Sequence, residues 1–243
     1  SVWHFDRPGL PLMTARLSLP GGAGVVAPNE AGVAELAADM LMEGAGDMDA
    51  AAFSDALDLL GATITAAAGR DATTVALSGL TKNAGPSLAL LSKALAAPRL
   101  GQESFAHAKS LHLEGLRQMV DLAPTLASRA ASETFYGAGD PDAYPISGYA
   151  ETIGGLSLDA VRAYHTTWHG PEGAVLLMAG DLRDDAAQAL VEKHLSAWKQ
   201  AAPRRARVRK PVQRPDKLEL YIVDRPGAAQ TVVRFVFPGV GFG

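Results

Sequence analysis

Apolar positions along the chain follow two different spacings, and the changes between them divide it into strands and helices. Alternating positions and one continuous apolar run predict strands over 10–19, 62–67, 73–80 and 174–179. Recurrence at three and four residues predicts helices over 49–60, 83–97, 102–120, 125–135, 157–168 and 184–198. Gly69, Arg70 and Asp71 separate the two middle strands, which is the composition of a hairpin turn.

A further helix is predicted between the first strand and residue 44. Asn29 can cap it, and Gly44 to Gly46 end it. Its buried stripe consists of Val33, Leu36, Ala37, Met40 and Leu41. Together with the other elements, this helix completes one compact unit over 1–199.

The composition changes after this unit. Seven basic residues and three prolines lie within 200–217, which predicts a solvated linker, although a patch that binds phosphate or a membrane is the alternative. Two strand-like runs, 218–223 and 231–237, then repeat the pattern with which the chain opens. We therefore expect 218–243 to be the opening strands of a truncated second repeat.

Composition and charge exclude several classes of protein. The 243 residues are 48% hydrophobic and 20% charged, as in a globular protein with a full core. A net charge of −4 argues against nucleic acid as a partner. Cysteine is absent, which rules out disulfides and thiolate metal sites, and no apolar run is long enough to predict a membrane span. The first residues carry no signal-peptide pattern.

Four segments, in this order and spacing, resemble one repeat of the M16 family of zinc peptidases, the family of pitrilysin, insulinase and mitochondrial processing peptidase. They are PGLPLMTARLSLPGGAG, NEAGVAELAADMLMEGAG, LDLLGATITAAAGRDATTVALSGL and PISGYAETIGGLSLDAVRAYHTTWHGPEGAVLLMAGDL. The resemblance covers about residues 2–198 and implies an α+β fold of the LuxS/MPP-like metallohydrolase type. In that fold a mixed, mostly antiparallel sheet is packed by helices.

The family's zinc motif, His-x-x-Glu-His on one helix, is degenerate in this chain. Two imidazoles one turn apart bind the metal and the Glu activates water. The resemblance places Glu35 and Asp39 at the two histidine positions and Ala38 at the position of the general base. A methyl group cannot accept a proton, and two carboxylates suit hard cations rather than this zinc site. We expect a solvated acidic helix face with no metal and no catalytic residue.

Two other arrangements have the spacing of metal ligands. Glu114 lies close to the family's third zinc-ligand position, and we interpret it as a relic, since one carboxylate without imidazole partners holds zinc poorly. His165 and His169 are four residues apart, but Gly170 and Pro171 follow at once. We expect His169 to be a helix-terminal dipole partner rather than a ligand.

The resemblance implies a non-catalytic half or subunit of an M16-type zinc metallopeptidase, inactive alone. Such a half forms a chamber wall that helps bind extended peptides, while an active half with the intact motif carries the zinc. The expected partners are that active half and an unfolded peptide. No residue of this chain can be assigned to substrate binding, because the matching region of the family would fall after Gly243.

Two alternatives remain open at the level of sequence. The chain could be an active metal-dependent endopeptidase with an atypical site built from Glu35, Asp39 and Glu114, or a structural scaffold without a peptide partner. The resemblance favours the periplasm, with the cytoplasm as the alternative.

Overall fold

The computed structural model describes residues 1–120, 122–137 and 139–199, together with 217, 219–224, 226–227 and 230–239. Within these residues the strands are β1 (Val2–Asp6), β2 (Leu12–Pro20), β3 (Gly44–Ala45), β4 (Met48–Asp49), β5 (Thr63–Ala68), β6 (Ala72–Leu80) and β7 (Val175–Gly180). The helices are α1 (Val33–Asp39), α2 (Ala50–Leu60), α3 (Ala84–Ala96), α4 (Gln102–Val120), α5 (Ala123–Tyr136), α6 (Ala150–Gly155), α7 (Leu158–Trp168) and α8 (Asp184–Leu195).

Five of the strands form one mixed sheet in the order β1-β7-β2-β6-β5. The β1 and β7 strands run parallel, and the remaining neighbours are antiparallel. Two-residue strands β3 and β4 pair separately. The expected α+β architecture, a mostly antiparallel mixed sheet packed by helices, is confirmed.

One face of the sheet carries the first of two hydrophobic clusters. Alternate residues of β2 are buried on this face, from Met13 to Leu19, and they meet apolar residues of β6, β7, α2, α3 and α8. The second cluster surrounds α1 and joins it to α4, α6 and α7. The short helix α1 is therefore held on several sides by tertiary packing, which stabilises a helix of only two turns.

The opposite face of the sheet carries large apolar side chains that are exposed. Trp3 and Phe5 point to the same side of β1, and Trp3 is paired in register with Leu177 of β7. All three side chains are exposed, Trp3 by 60%. No helix among the described residues covers them.

Most predicted elements form close to their expected bounds, and the differences have local causes. The hairpin of β5 and β6 is confirmed, with Arg70 and Asp71 as its two-residue loop. The prediction that Asn29 caps the first helix is wrong, because Asn29 lies in a 3-10 turn and α1 begins after Gly32. Gly32 has φ of 98°, a backbone conformation that favours glycine. Strand β1 was not predicted, since four of its five residues are exposed and its sequence shows no clear alternation.

The two predicted strands after the linker are not formed among the described residues. Neither 219–224 nor 230–239 has strand hydrogen bonding, and the apolar side chains of both segments are exposed. A strand needs a paired neighbour and a buried face, and neither is present here. Except for Lys217, the predicted linker 200–217 lies outside the described residues. The division into 1–199, 200–217 and 218–243 stays a prediction.

Candidate functional site

The three residues that the resemblance assigns to the zinc motif lie on α1, where one side chain is in the core and two face a cavity. Ala38 is 0% exposed and packs inside the molecule. Glu35 and Asp39, one turn apart, line a cavity of about 300 Å³. Glu43, which follows the helix, adds a third carboxylate to this acidic cavity. The sequence-predicted acidic face therefore forms, but it is partly enclosed rather than fully solvated.

The opposite wall of the acidic cavity comes from α4. Ala108, Leu111, His112, Gly115 and Met119 line it. Glu114, the predicted relic of a third ligand, is exposed on this helix and does not line the cavity. The structure therefore brings Glu35 and Asp39 together and leaves Glu114 outside.

His112 is the residue of α4 that meets the motif positions. Its side chain is only 6% exposed, and its Nδ1 lies 3.7 Å from Oδ2 of Asp39. Its Nε2 donates a hydrogen bond to the carbonyl oxygen of Ser147, at 2.8 Å. Since a carbonyl only accepts, this bond places a proton on Nε2. His112 therefore links α1, α4 and the loop that precedes α6.

Sequence reasoning did not identify His112, although a signal was present. Phe105, Ala108 and Leu116 form the buried stripe of α4. His112 lies between Ala108 and Leu116, four residues from each, where the helical spacing predicts another buried residue. A polar residue at a buried helical position needs a partner. Here, Asp39 and the Ser147 carbonyl are those partners.

The charges in the acidic cavity shift the pKa values of two groups. Burial raises the pKa of Glu35, an effect that nearby His112 opposes and Asp39 reinforces. Burial alone would lower the pKa of His112. The close contact with Asp39, the hydrogen bond to Ser147 and the charges of Glu35 and Asp39 outweigh burial, and the pKa of His112 is raised.

A glycine pair lets the loop before α6 come close to the start of α1. A Cβ on Gly148 would lie 2.2 Å from the carbonyl oxygen of Ala31, and one on Gly32 would lie 2.8 Å from that of Ser147. Both glycines have positive φ. Thr152 fixes the same contact by donating a hydrogen bond to the Ala31 carbonyl, at 2.7 Å. This close approach positions the Ser147 carbonyl against His112.

The chemistry available at the acidic cavity is ionic binding and proton exchange. In the described part of the chain, no three His, Cys, Asp or Glu side chains are grouped so that they could hold a metal ion. Ala38 offers no base to a bound water. The side chains of Glu35, Ala38 and Asp39 therefore do not match the ligands and the general base of the family's zinc site. They do not supply a hydrolytic step of that kind.

His165 and His169 lie together in the core at the end of α7. Their ring centroids are 5.2 Å apart, and His169 also packs edge to face on Tyr164. Burial lowers the pKa of His165 to about 4. The His169 ring is buried, and its carbonyl accepts a hydrogen bond from Nε1 of Trp198. Both residues therefore contribute to packing rather than to an open site.

A second cavity, of about 380 Å³, adjoins the first, with Met119 and Ser147 lining both. Three arginines line it: Arg70 from the hairpin turn, Arg129 from α5, and Arg234. Arg70 also binds the carbonyls of Pro141 and Tyr144 and lies 3.5 Å from Asp142. We call this space the arginine cavity. It was not anticipated from sequence, because its arginines come from distant segments.

Comparisons with known families agree with this fold. The insulinase family model, peptidase family M16, matches residues 8–140, and the model of the peptidase M16 inactive domain matches residues 155–243. The chain is a member of the M16 peptidase family, which confirms the resemblance derived from sequence. It is an M16-like half of the inactive type.

Three solved structures share the fold of this chain. A peptidase M16 inactive domain from Pseudomonas fluorescens is 26% identical, with a TM-score of 0.80 over 87% of this chain and 51% of that one. A Helicobacter pylori protease is 17% identical, with a TM-score of 0.78 over 88% of this chain and 51% of that one. The periplasmic protease PqqL from Escherichia coli is 19% identical, with a TM-score of 0.77 over 87% of this chain and 24% of that one. No curated protein sequence matches.

The chain spans about half the length of the first two of these structures and a quarter of the third. In its described part, no helix combines the length and the apolar character needed to cross a bilayer.

Proposed function

We propose that this chain is the non-catalytic half of an M16-type zinc metallopeptidase and forms a wall of the chamber that holds an extended peptide. The observation that carries the proposal is Ala38, a fully buried methyl group at the position where the resemblance places the family's general base. A chain that keeps the fold and lacks the base can bind a substrate without cutting it. The zinc then belongs to an active partner half with the complete motif.

The edge strand β5 supports the peptide-binding part of the proposal. No described strand pairs with the outer edge of β5, and β5 lies beside α1. An extended peptide added there would gain main-chain hydrogen bonds and run past the acidic cavity.

The outward-pointing donors of β5 follow from the hairpin register. The Gly69 amide donates to the Ala72 carbonyl, at 2.7 Å, so residue 69 points towards β6. Hydrogen-bonded pairs alternate along an antiparallel ladder. The amides of Ile64 and Ala66 therefore point away from β6, towards an added strand.

Removal of one outward donor tests this binding mode. We expect Ala66→Pro to weaken the affinity for an unstructured peptide by at least about threefold, because one main-chain hydrogen bond is lost. Proline is tolerated at edge positions whose amide points outwards. Ala66→Val, which keeps the amide, is the matched control. Isothermal titration calorimetry with both variants measures the effect, and equal affinities would count against strand addition at β5.

Activity measurements separate this proposal from an active peptidase with an atypical site. We expect the purified chain to bind an unstructured peptide but leave it uncut, with or without added Zn²⁺. Hydrolysis that is lost in Glu35→Gln would instead establish the atypical site. If the chain neither binds a peptide nor associates with an active M16 half, the scaffold interpretation remains.

We further propose a periplasmic location, which the resemblance to PqqL, described as periplasmic, supports. Immunodetection of the native protein in separated periplasmic and cytoplasmic fractions tests it. Recovery with the cytoplasmic fraction would exclude the proposed location.

A further inference from the structure

The arginine cavity is built on a polar stripe of α5. Thr125, Ser128, Arg129 and Ser132 follow the spacing i, i+3, i+4 and i+7, and all four line the cavity. A helix that faces protein normally places apolar residues at these positions. Among its described residues, α5 has no fully buried side chain. This stripe therefore faces an open polar space rather than the core.

Arg129 is held in place but is not fully satisfied. Its guanidinium stacks over the Tyr149 ring, with Cζ 5.1 Å from the ring centroid. The Tyr149 hydroxyl in turn donates a hydrogen bond to Glu133. The Nε atom of Arg129 is buried and has no hydrogen-bond partner among the described residues. The contact with the Tyr149 ring therefore holds the guanidinium without using its hydrogen-bond donors.

The charge of the arginine cavity is positive. No Asp or Glu is among the described residues that line it. Asp142 lies 3.5 Å from Arg70, and Glu133, four residues from Arg129, is not among the lining residues, so Arg129 and the exposed Arg234 supply the positive charge that faces the cavity. Thr125 lies in the first turn of α5, where the helix dipole adds to the positive potential. Guanidinium groups with adjacent hydroxyls suit a carboxylate, which accepts two parallel hydrogen bonds from one arginine.

We propose that the arginine cavity binds a carboxylate of the peptide substrate, either its C-terminus or the side chain of an Asp or Glu. This inference rests on the proposed function, since it names the kind of peptide that the chamber wall selects. Met119 and Ser147 line both cavities, so a peptide anchored here continues towards α1. Arg129 supplies the charged contact, and Ser132 supplies a hydroxyl one helical turn away.

Calorimetry with three peptides of one neutral sequence tests the proposal on the 243-residue chain. The first has a free C-terminal carboxylate, the second is amidated and carries an internal Glu, and the third is amidated and carries Gln instead. We expect the first, the second or both to bind about tenfold more tightly than the third, because a charge-assisted contact is gained. The two acidic peptides distinguish the sources of the carboxylate.

Variants of single arginines assign the preference to this cavity. Arg129→Gln should remove it, whereas Arg117→Gln, the same change at an exposed position of neighbouring α4, should keep it. If Arg129→Gln lowers the melting temperature, Arg234→Gln gives an independent measurement, since Arg234 lies outside helices and strands.

The outcomes separate this inference from the proposed function. Peptide binding without a carboxylate preference, or a preference that survives both cavity variants, overturns the carboxylate site and leaves the chamber wall standing. No binding of any of the three peptides overturns both.

Discussion

At the scale of single residues, the buried Ala38 supports the proposal that this chain keeps the M16 fold without catalysing hydrolysis. The methyl group is fully buried in the packing around α1. Ala38→Glu, which introduces a carboxylate where the resemblance places the family's base, should destabilise the chain by about 3 kcal/mol or more, because a carboxylate without a partner enters the core. Urea denaturation measures the loss. Ala51→Glu, at an exposed position of α2, is the control and should be close to neutral.

His112 makes stability depend on pH. Its raised pKa means that it contributes stability that is fully present below its unfolded pKa and is lost as pH rises through the folded pKa. Burial lowers the pKa of His165, so His165 changes stability with pH in the opposite direction. The quantity to measure is therefore the difference in unfolding free energy between the wild type and His112→Gln. That difference in unfolding free energy should shrink as the pH rises above about 6.5, the ordinary pKa of histidine.

Denaturation at several pH values checks this dependence. Asp39→Asn should reduce the same dependence, because it removes the carboxylate nearest to the His112 ring. A difference between wild type and His112→Gln that stays constant over the range would show that the ring does not titrate against these carboxylates.

The same residues show what sequence can and cannot reveal about the site. The resemblance assigns Glu35, Ala38 and Asp39 to the site, and the helical period places Glu35 and Asp39 on a common face. His112 and Arg129 meet their partners only through tertiary packing, and no local spacing encodes that. Glu114 was predicted to be the relic of a third ligand, whereas His112, two residues earlier on α4, lines the cavity. Two residues along a helix lie on different faces, so an error of this size selects the wrong side chain.

At the scale of elements, the site depends on how closely the loop before α6 meets the start of α1. Gly148→Ala should destabilise the chain by at least about 1 kcal/mol, because alanine is strained at positive φ and its Cβ would meet the Ala31 backbone. Thermal unfolding measures the effect. Gly154→Ala, in α6 with open space around it, should instead stabilise by about 0.5–1 kcal/mol. Equal effects of the two substitutions would contradict a specific glycine contact.

Elements in which apolar residues recur at a regular spacing could be predicted from the sequence. Elements whose bounds depend on contacts with distant parts of the chain could not. Strand β2 and the β5–β6 hairpin alternate clearly because one face is buried. Strand β1 shows no such alternation, since it lies at the sheet edge with four of its five residues exposed, and its pairing with β7 makes it a strand. The start of α1 was misplaced for a related reason. A glycine in a tertiary contact, rather than a capping side chain, sets that boundary.

At the scale of the whole molecule, the exposed apolar side chains predict self-association of the isolated chain. Ile222 and Phe235 are each at least 80% exposed, and the outer sheet face adds Trp3 and Phe5. The double variant Ile222→Lys with Phe235→Lys should lower the concentration dependence of the mass measured by light scattering. Leu59→Lys, a lone exposed position on α2, should leave it unchanged. A wild-type chain that stays monomeric at all concentrations would contradict this prediction.

The position of β7 in the sheet has a consequence for how the chain reaches its native state. β1 and β2 are consecutive along the chain, yet β7 separates them in the sheet. During synthesis, this gap stays open until nearly the whole compact unit has left the ribosome, because β7 is its last strand. Pairing over so long a sequence separation is slow. In that interval, an equivalent strand from another nascent copy can enter the gap, and chaperone binding there would protect it.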